Sequence, residues 1–128
     1  MSAAEKTIIV IEDEQEAAEM FAEMMRVSGF RVLKATSSAP GMQLISSEIP
    51  DAVVLDIMMP DISGLEVLRF MRNDPRLAKI PVIVVSAKSM PADIKTGLEA
   101  GAAVYLTKPV GYLDLKEAVE KVLGVANA

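Results

Sequence analysis

Five short apolar runs recur along the chain, and each is followed by a stretch whose apolar residues return at helical spacing. The first, "TIIVI" (Thr7 to Ile11), is β-branched and continuous, without the alternation of a half-exposed strand, so it predicts a strand buried on both faces. "RVLKA" (31–35), "AVVLD" (52–56), "IPVIVVS" (80–86) and "VYLT" (104–107) predict four more. Between the first two, Gln15 to Val27 reads as a helix with Ala17, Met20, Phe21, Met24 and Val27 inward and Glu16, Glu19 and Glu23 outward, stopped by Gly29. Ser37 or Ser38 can cap a second helix that carries Pro40 in its first turn and ends before Pro50. Gly64 to Asn73 predicts a third, with Leu65, Leu68 and Met71 inward, and Pro91 to Ala100 a fourth, closed by Gly101. The last runs from Tyr112 to Leu123 and buries Leu115, Ala118, Val119 and Val122.

Strict alternation of buried strand and helix calls for an α/β fold, a parallel sheet covered on both faces, because right-handed crossovers lay the helices onto the sheet. At 128 residues and 52% hydrophobic content, with no internal linker or repeat, residues 1–128 fit one domain with a substantial core. Whether "LGVANA" closes the chain or begins a linker to an effector domain is left open by the sequence.

Composition narrows the chemistry. A net charge of −5 without a basic run makes direct nucleic-acid binding by this domain a poor fit and favours protein partners. The chain has no cysteine and no histidine, which removes disulfides, thiolate catalysis, cysteine zinc sites and the commonest acid/base side chain. No apolar window approaches a membrane span and the opening "MSAAEKTIIVIEDE" turns acidic early, so the expected setting is the cytoplasm, away from membranes.

In such a sheet the ligand site lies outside the carboxyl ends of the strands. The first strand ends in Glu12 and Asp13, the third in Asp56, the fourth in Ser86, and the fifth in Thr107 and Lys108; the second contributes nothing. Each alone has an ordinary reading: helix-capping acids, a turn-forming aspartate, a loop hydroxyl, a solvated lysine before a proline. Together they make a coherent set, since three carboxylates at one edge repel unless a hard divalent cation sits among them, and magnesium leaves room for a phosphoryl group that the lysine also contacts. The implied chemistry is phosphoryl transfer with Asp56 as the nucleophile, giving an acyl phosphate.

The set "IEDE", "VVLDIMMPDISGLEVL", "VVSA" and "YLTKP" resembles the receiver domain of two-component response regulators, over essentially the whole chain. The resemblance implies a flavodoxin-like, doubly wound sheet of five strands in the order 2-1-3-4-5 with five helices. It implies Asp56 as phosphoacceptor, Asp13 and Asp56 as magnesium ligands, the Met58 backbone carbonyl as another, and Glu12 acting through water. Lys108 would contact a phosphoryl oxygen, with a cis peptide joining it to Pro109; Ser86 would contact another, and Ser86 and Tyr105 would form the switch. A sensor histidine kinase or phosphotransfer protein would donate the phosphoryl group, and a downstream protein would read the fourth helix, fifth strand and last helix. Met58 and Lys88 would tune hydrolysis, while Asp61 is left as a loop residue before the third helix.

Several residues depart from the pattern of that family. Glu12 stands where aspartate is commoner, Val110 where phenylalanine is frequent, and "GAAVY" lacks the acidic pair that supports dimers of winged-helix regulators. Three other readings compete. An aspartate-nucleophile phosphatase would need a second aspartate two residues after Asp56, where Met58 stands. A flavodoxin-like electron carrier would meet a flavin phosphate with the repelling "EDEQE", and neither nucleotide-binding glycine fingerprint occurs. A pseudo-receiver, binding partners without phosphate, is disfavoured by the intact acids, serine and lysine.

Overall fold

A computed structural model describes residues 5–125; the first four residues and the last three of "LGVANA" lie outside the described residues. The strands are β1 (Thr7–Ile11), β2 (Arg31–Ala35), β3 (Ala52–Leu55), β4 (Val82–Ser86) and β5 (Val104–Thr107). The helices between and after them are α1 (Gln15–Val27), α2 (Ser38–Glu48), α3 (Gly64–Asn73), α4 (Pro91–Glu99) and α5 (Tyr112–Leu123). All pairings are parallel, in the order β2-β1-β3-β4-β5. This is the flavodoxin-like order. Among the described residues no helix is long and apolar enough to cross a membrane.

The continuous apolar strands are explained by what lies on each side of them. Alternate residues point to opposite faces, so Ile9, Ile11, Val53, Leu55, Val82 and Val84 join one core with Ile45 of α2 and Val67, Leu68 and Met71 of α3. Ile8, Val10, Ala52, Val54, Ile83 and Val85 join the other, against Phe21 and Met25 of α1 and Leu115, Ala118 and Val119 of α5. Val110, the smaller residue at a position where phenylalanine is frequent, packs into this second core.

The buried stripe of α1 differs from the expected one. Ala18, Phe21, Ala22 and Met25 face the sheet, whereas Met20 and Val27 are 45% and 66% exposed. Both stripes satisfy helical periodicity; the two alanines win because they let the helix axis approach the strands closely while Phe21 fills the space beside them. The cap expected from Ser37 or Ser38 also differs: Ser37 occupies the N-cap position of α2 without a side-chain cap bond.

Arg72, at the end of α3, fastens the side of the domain opposite the carboxyl ends of the strands, where β4 and β5 begin. Its guanidinium donates to the carbonyls of Ala78 (2.8 Å), Ile80 (2.8 Å) and Gly101 (3.1 Å), with a longer bond to Leu77 (3.5 Å). Gly101, at φ +116°, is required here twice over, for its backbone conformation and because a Cβ would lie 2.7 Å from Arg72 Nε. Removing a charged donor shared by several carbonyls weakens their pairing at once, so Arg72→Ala is expected to lower stability by about 2 kcal/mol. Urea unfolding with an unchanged slope checks this, and Arg72→Lys, which lacks the planar fork, should recover less than half of the loss.

Candidate functional site

Register brings the acidic residues together. Ile11 pairs with Ala35 on one side and Leu55 on the other, so the residues just past β1 and β3, Glu12 and Asp56, emerge side by side. The Asp56 amide donates to the Ile11 carbonyl at 3.0 Å and the Glu12 amide to the Ala35 carbonyl at 3.1 Å, holding both backbones at the sheet's rim. Ser86 pairs with Thr107, and the Lys108 amide donates to the Ser86 carbonyl at 2.9 Å, which carries Lys108 round to the same rim. The Lys108–Pro109 peptide is cis.

Glu12 and Asp56 are 1% and 4% exposed. The Lys108 ammonium donates to Glu12 Oε1 at 2.8 Å and to Asp56 Oδ2 at 3.1 Å, and it stands 6.0 Å from the centre of the Phe21 ring. The remaining carboxylate oxygens take backbone amides: Glu12 Oε2 from Glu14 at 3.1 Å and Asp56 Oδ1 from Met58 at 2.9 Å. Burial raises the Glu12 pKa above its ordinary value against the opposing pull of Lys108. For Lys108 burial is the largest influence and lowers the pKa, but its bonds to Glu12 and Asp56 outweigh it, so the net shift is upward and the ammonium is held charged.

Asp13 is exposed beside this pair, and carboxylate oxygens of Glu12, Asp13 and Asp56 lie within 4.8 Å of one another. An all-oxygen set of this size fits a hard divalent ion such as magnesium. A cleft of about 470 Å³ opens in front of it, walled by Asp13, Met58, Met59, Pro60 and Lys88. Gly64 shapes the floor, since a Cβ there would stand 2.5 Å from the Asp56 carbonyl oxygen and 2.6 Å from Ile57 Cα.

The two expected switch residues meet on the backbone of one residue, Lys88. Ser86 is fully buried and its Oγ accepts the Lys88 amide at 3.1 Å, while the Tyr105 hydroxyl donates to the Lys88 carbonyl at 2.7 Å. Tyr105 fits against α4 because residue 97 is glycine; a Cβ would lie 2.7 Å from the ring. Met58 is half-exposed and Lys88 exposed on the cleft. The structure therefore gathers Glu12, Asp13, Asp56, Met58, Ser86, Lys88 and Lys108 at one rim, with Tyr105 one residue removed.

Sequence reasoning missed Asp61. Its carboxylate accepts the amides of Ser38 (3.0 and 3.1 Å) and Ala39 (3.1 Å), supplying the cap that Ser37 does not. The turn after β2, expected to contribute nothing, is thereby tied to the loop that follows Asp56. The available signal was a helix start preceded by serines and a spare loop carboxylate, two features that only the fold brings together.

A buried acid pair with a bridging lysine thus stands at the carboxyl rim of a flavodoxin-like sheet, and comparison with known proteins gives the class of domain to which this arrangement belongs. The response regulator receiver domain model matches residues 8–120, so the chain belongs to that family. It is 30% identical over 121 residues to the polar-differentiation response regulator DivK of Brucella ovis, covering 94% of this chain and 98% of DivK. The structure of a Francisella response-regulator receiver domain superposes with a TM-score of 0.87 at 26% identity, covering 93% of this chain and 97% of that one. The receiver domain of a Pseudomonas aeruginosa sensor histidine kinase, described with a magnesium ion coordinated in its active-site cleft, superposes with a TM-score of 0.87 at 24% identity over 94% and 99% of the two chains. Receiver domains are signalling modules whose phosphorylation alters their contacts with protein partners, and they bind magnesium at an acidic pocket.

The amides of Ala39 and Ser38 hold the Asp61 carboxyl well below its ordinary value, at about 2. A depressed carboxylate pKa adds stability that is full above about pH 4 and disappears as pH falls through the folded value. A carbon-13 titration of the Asp61 carboxyl should show it ionised at about pH 3 and half-protonated near 2; a midpoint at the ordinary aspartate value would mean that the bonds to α2 do not persist in solution.

Proposed function

We propose that this chain is a phosphorylation-activated switch of the cytoplasm that accepts a phosphoryl group on Asp56 from a histidine kinase or phosphotransfer protein, with magnesium, and changes its partner-binding surface in response. The observation that carries the reading is the Asp56 carboxylate, buried at the end of a central strand with one oxygen on Lys108 and the other on the Met58 amide. With no histidine of its own, the chain takes the group from another molecule.

An Asp56 carboxylate oxygen attacks the phosphorus of the donor phosphoimidazole, an oxygen–phosphorus bond forms, and the phosphorus–nitrogen bond breaks with its electron pair leaving on the donor imidazole. Asp13, Asp56 and the Met58 carbonyl would hold magnesium, with Glu12 acting through water, and the ion when bound would neutralise charge on the phosphoryl oxygens. Lys108 provides a fixed positive charge for one of those oxygens, at the cost of loosening its contact with Asp56. The Ser86 hydroxyl keeps a proton to donate to another, and movement of Ser86 toward it disturbs the Lys88 amide, one peptide away from the Lys88 carbonyl that Tyr105 holds. Tyr105 and α4 lie on the surface formed by α4, β5 and α5, which we assign to the downstream partner. Of the nine residues of α4 only Gly97 is buried, which suits an element that shifts readily.

Met58 and Lys88, on the walls of the cleft, would control the approach of water to the acyl phosphate. Self-catalysed phosphorylation from a small donor and self-catalysed hydrolysis follow from the same groups, without turnover of an independent substrate. Intact mass after incubation with acetyl phosphate and magnesium is the test. Wild type should gain one phosphoryl group and Asp56→Asn none. No gain in wild type under several donors would mark a binding module that works without phosphate, and equal gain in the variant would move the site elsewhere.

A further inference from the structure

Among the described residues four buried side chains are polar or charged: Glu12, Asp56, Ser86 and Ser38. Three belong to the phosphoryl site. Ser38 opens α2, is fully buried, and donates its hydroxyl to the Ile62 carbonyl at 2.6 Å. That bond caps nothing in α2, because it satisfies a carbonyl of the loop that follows Asp56. On the same turn Asp61 takes the amides of Ser38 and Ala39. The loop 57–63 is closed at its neck by the Gly64 amide on the Ile57 carbonyl at 2.8 Å. Beyond that neck, the hydrogen bonds of the described residues tie it to one element distant in sequence, the first turn of α2.

We infer that Asp61, together with Ser38, is a positioning residue for the phosphoryl site, fastening the loop to α2 so that the Met58 backbone stays where its amide holds Asp56 and its carbonyl would serve the cation. The inference rests on the phosphoacceptor reading of Asp56. Met58 itself is half-exposed and makes one hydrogen bond to the site, its amide on Asp56 Oδ1, so little else fixes the loop from the solvent side. A helix cap alone does not require this arrangement: Ser37 stands at the N-cap, and a local side chain there would serve α2 without reaching across 23 residues of sequence.

The test compares Asp61→Ala, Asp61→Asn, Ser38→Ala and a control, Ile45→Val, which thins the buried core under α2 and leaves the hydrogen bonds between the loop and α2 in place. Magnesium affinity is read from the amide shifts of Asp13 and Met58, acetyl phosphate transfer from intact mass, and the tether from hydrogen exchange at the Ser38 and Ala39 amides. Asp61→Ala should speed exchange at both amides and weaken magnesium binding by about tenfold, the lower end for partners that orient metal ligands. Phosphorylation should slow with it, Ser38→Ala should act in the same direction, and Asp61→Asn, which keeps one acceptor oxygen, should recover part of the affinity. Ile45→Val should lower the melting temperature and leave magnesium affinity unchanged. Wild-type affinity in both Asp61→Ala and Ser38→Ala, or an equal loss in Ile45→Val, overturns the positioning role while the phosphoacceptor reading stands. A wild-type chain that takes neither magnesium nor phosphoryl group overturns both.

Discussion

Glu12 and Asp56 are carboxylates removed from water within reach of a single ammonium, that of Lys108, and the rest of the domain is arranged around keeping them there. Two buried anions with one cation leave a surplus of negative charge, which the Glu14 and Met58 amides reduce and a divalent cation would remove. Such a group of charges is expensive to assemble in a flexible setting. Here the register of β1 against β3 sets the acids side by side, and the bond from Lys108 to the Ser86 carbonyl brings the lysine to them from β5. The two carboxylates thus stand at the ends of strands with deep apolar burial, β1 and β3, while the lysine comes from the more exposed β5.

From this rim two lines of hydrogen bonds lead away. One runs through Ser86 and the Lys88 backbone to Tyr105, whose ring is seated on the glycine of α4. The other runs through the 57–63 loop to Asp61, Ser38 and the start of α2. The first joins the site to a helix with one buried residue, the second to a helix anchored by buried Ser38, Gly41 and Ile45. On the proposed reading, an added phosphoryl group would meet a yielding wall on one side and a fixed one on the other, and the response would be directed toward α4.

Much of this was legible in the chain. The strands announced themselves because burial on both faces demands unbroken apolar runs, and the site residues did so because each polar residue falls one or two positions past such a run. The order of the strands came from resemblance, since periodicity says nothing about which strands are neighbours. What the chain concealed depended on distance across the fold. The inward stripe of α1 was misjudged because two stripes fit one period and only the close approach of Ala18 and Ala22 to the sheet decides between them. Asp61 looked like an ordinary loop residue because its partners lie 22 and 23 positions earlier. Arg72 and Gly97 gave no signal at all, as each answers a contact made by a different element, and Gly101 was legible as a helix stop but not as the neighbour of Arg72.

The central claim is that a single carboxylate, Asp56, takes the phosphoryl group as an acyl phosphate. Borohydride reduces an acyl phosphate to an alcohol and leaves free carboxylates intact, so the phosphorylated protein, reduced and digested, records the site in its own sequence. Peptide mass spectrometry should find homoserine at position 56 and aspartate still at 13 and 61. Homoserine at either of those positions, or an added phosphoryl group that survives borohydride with Asp56 unaltered, would contradict the account.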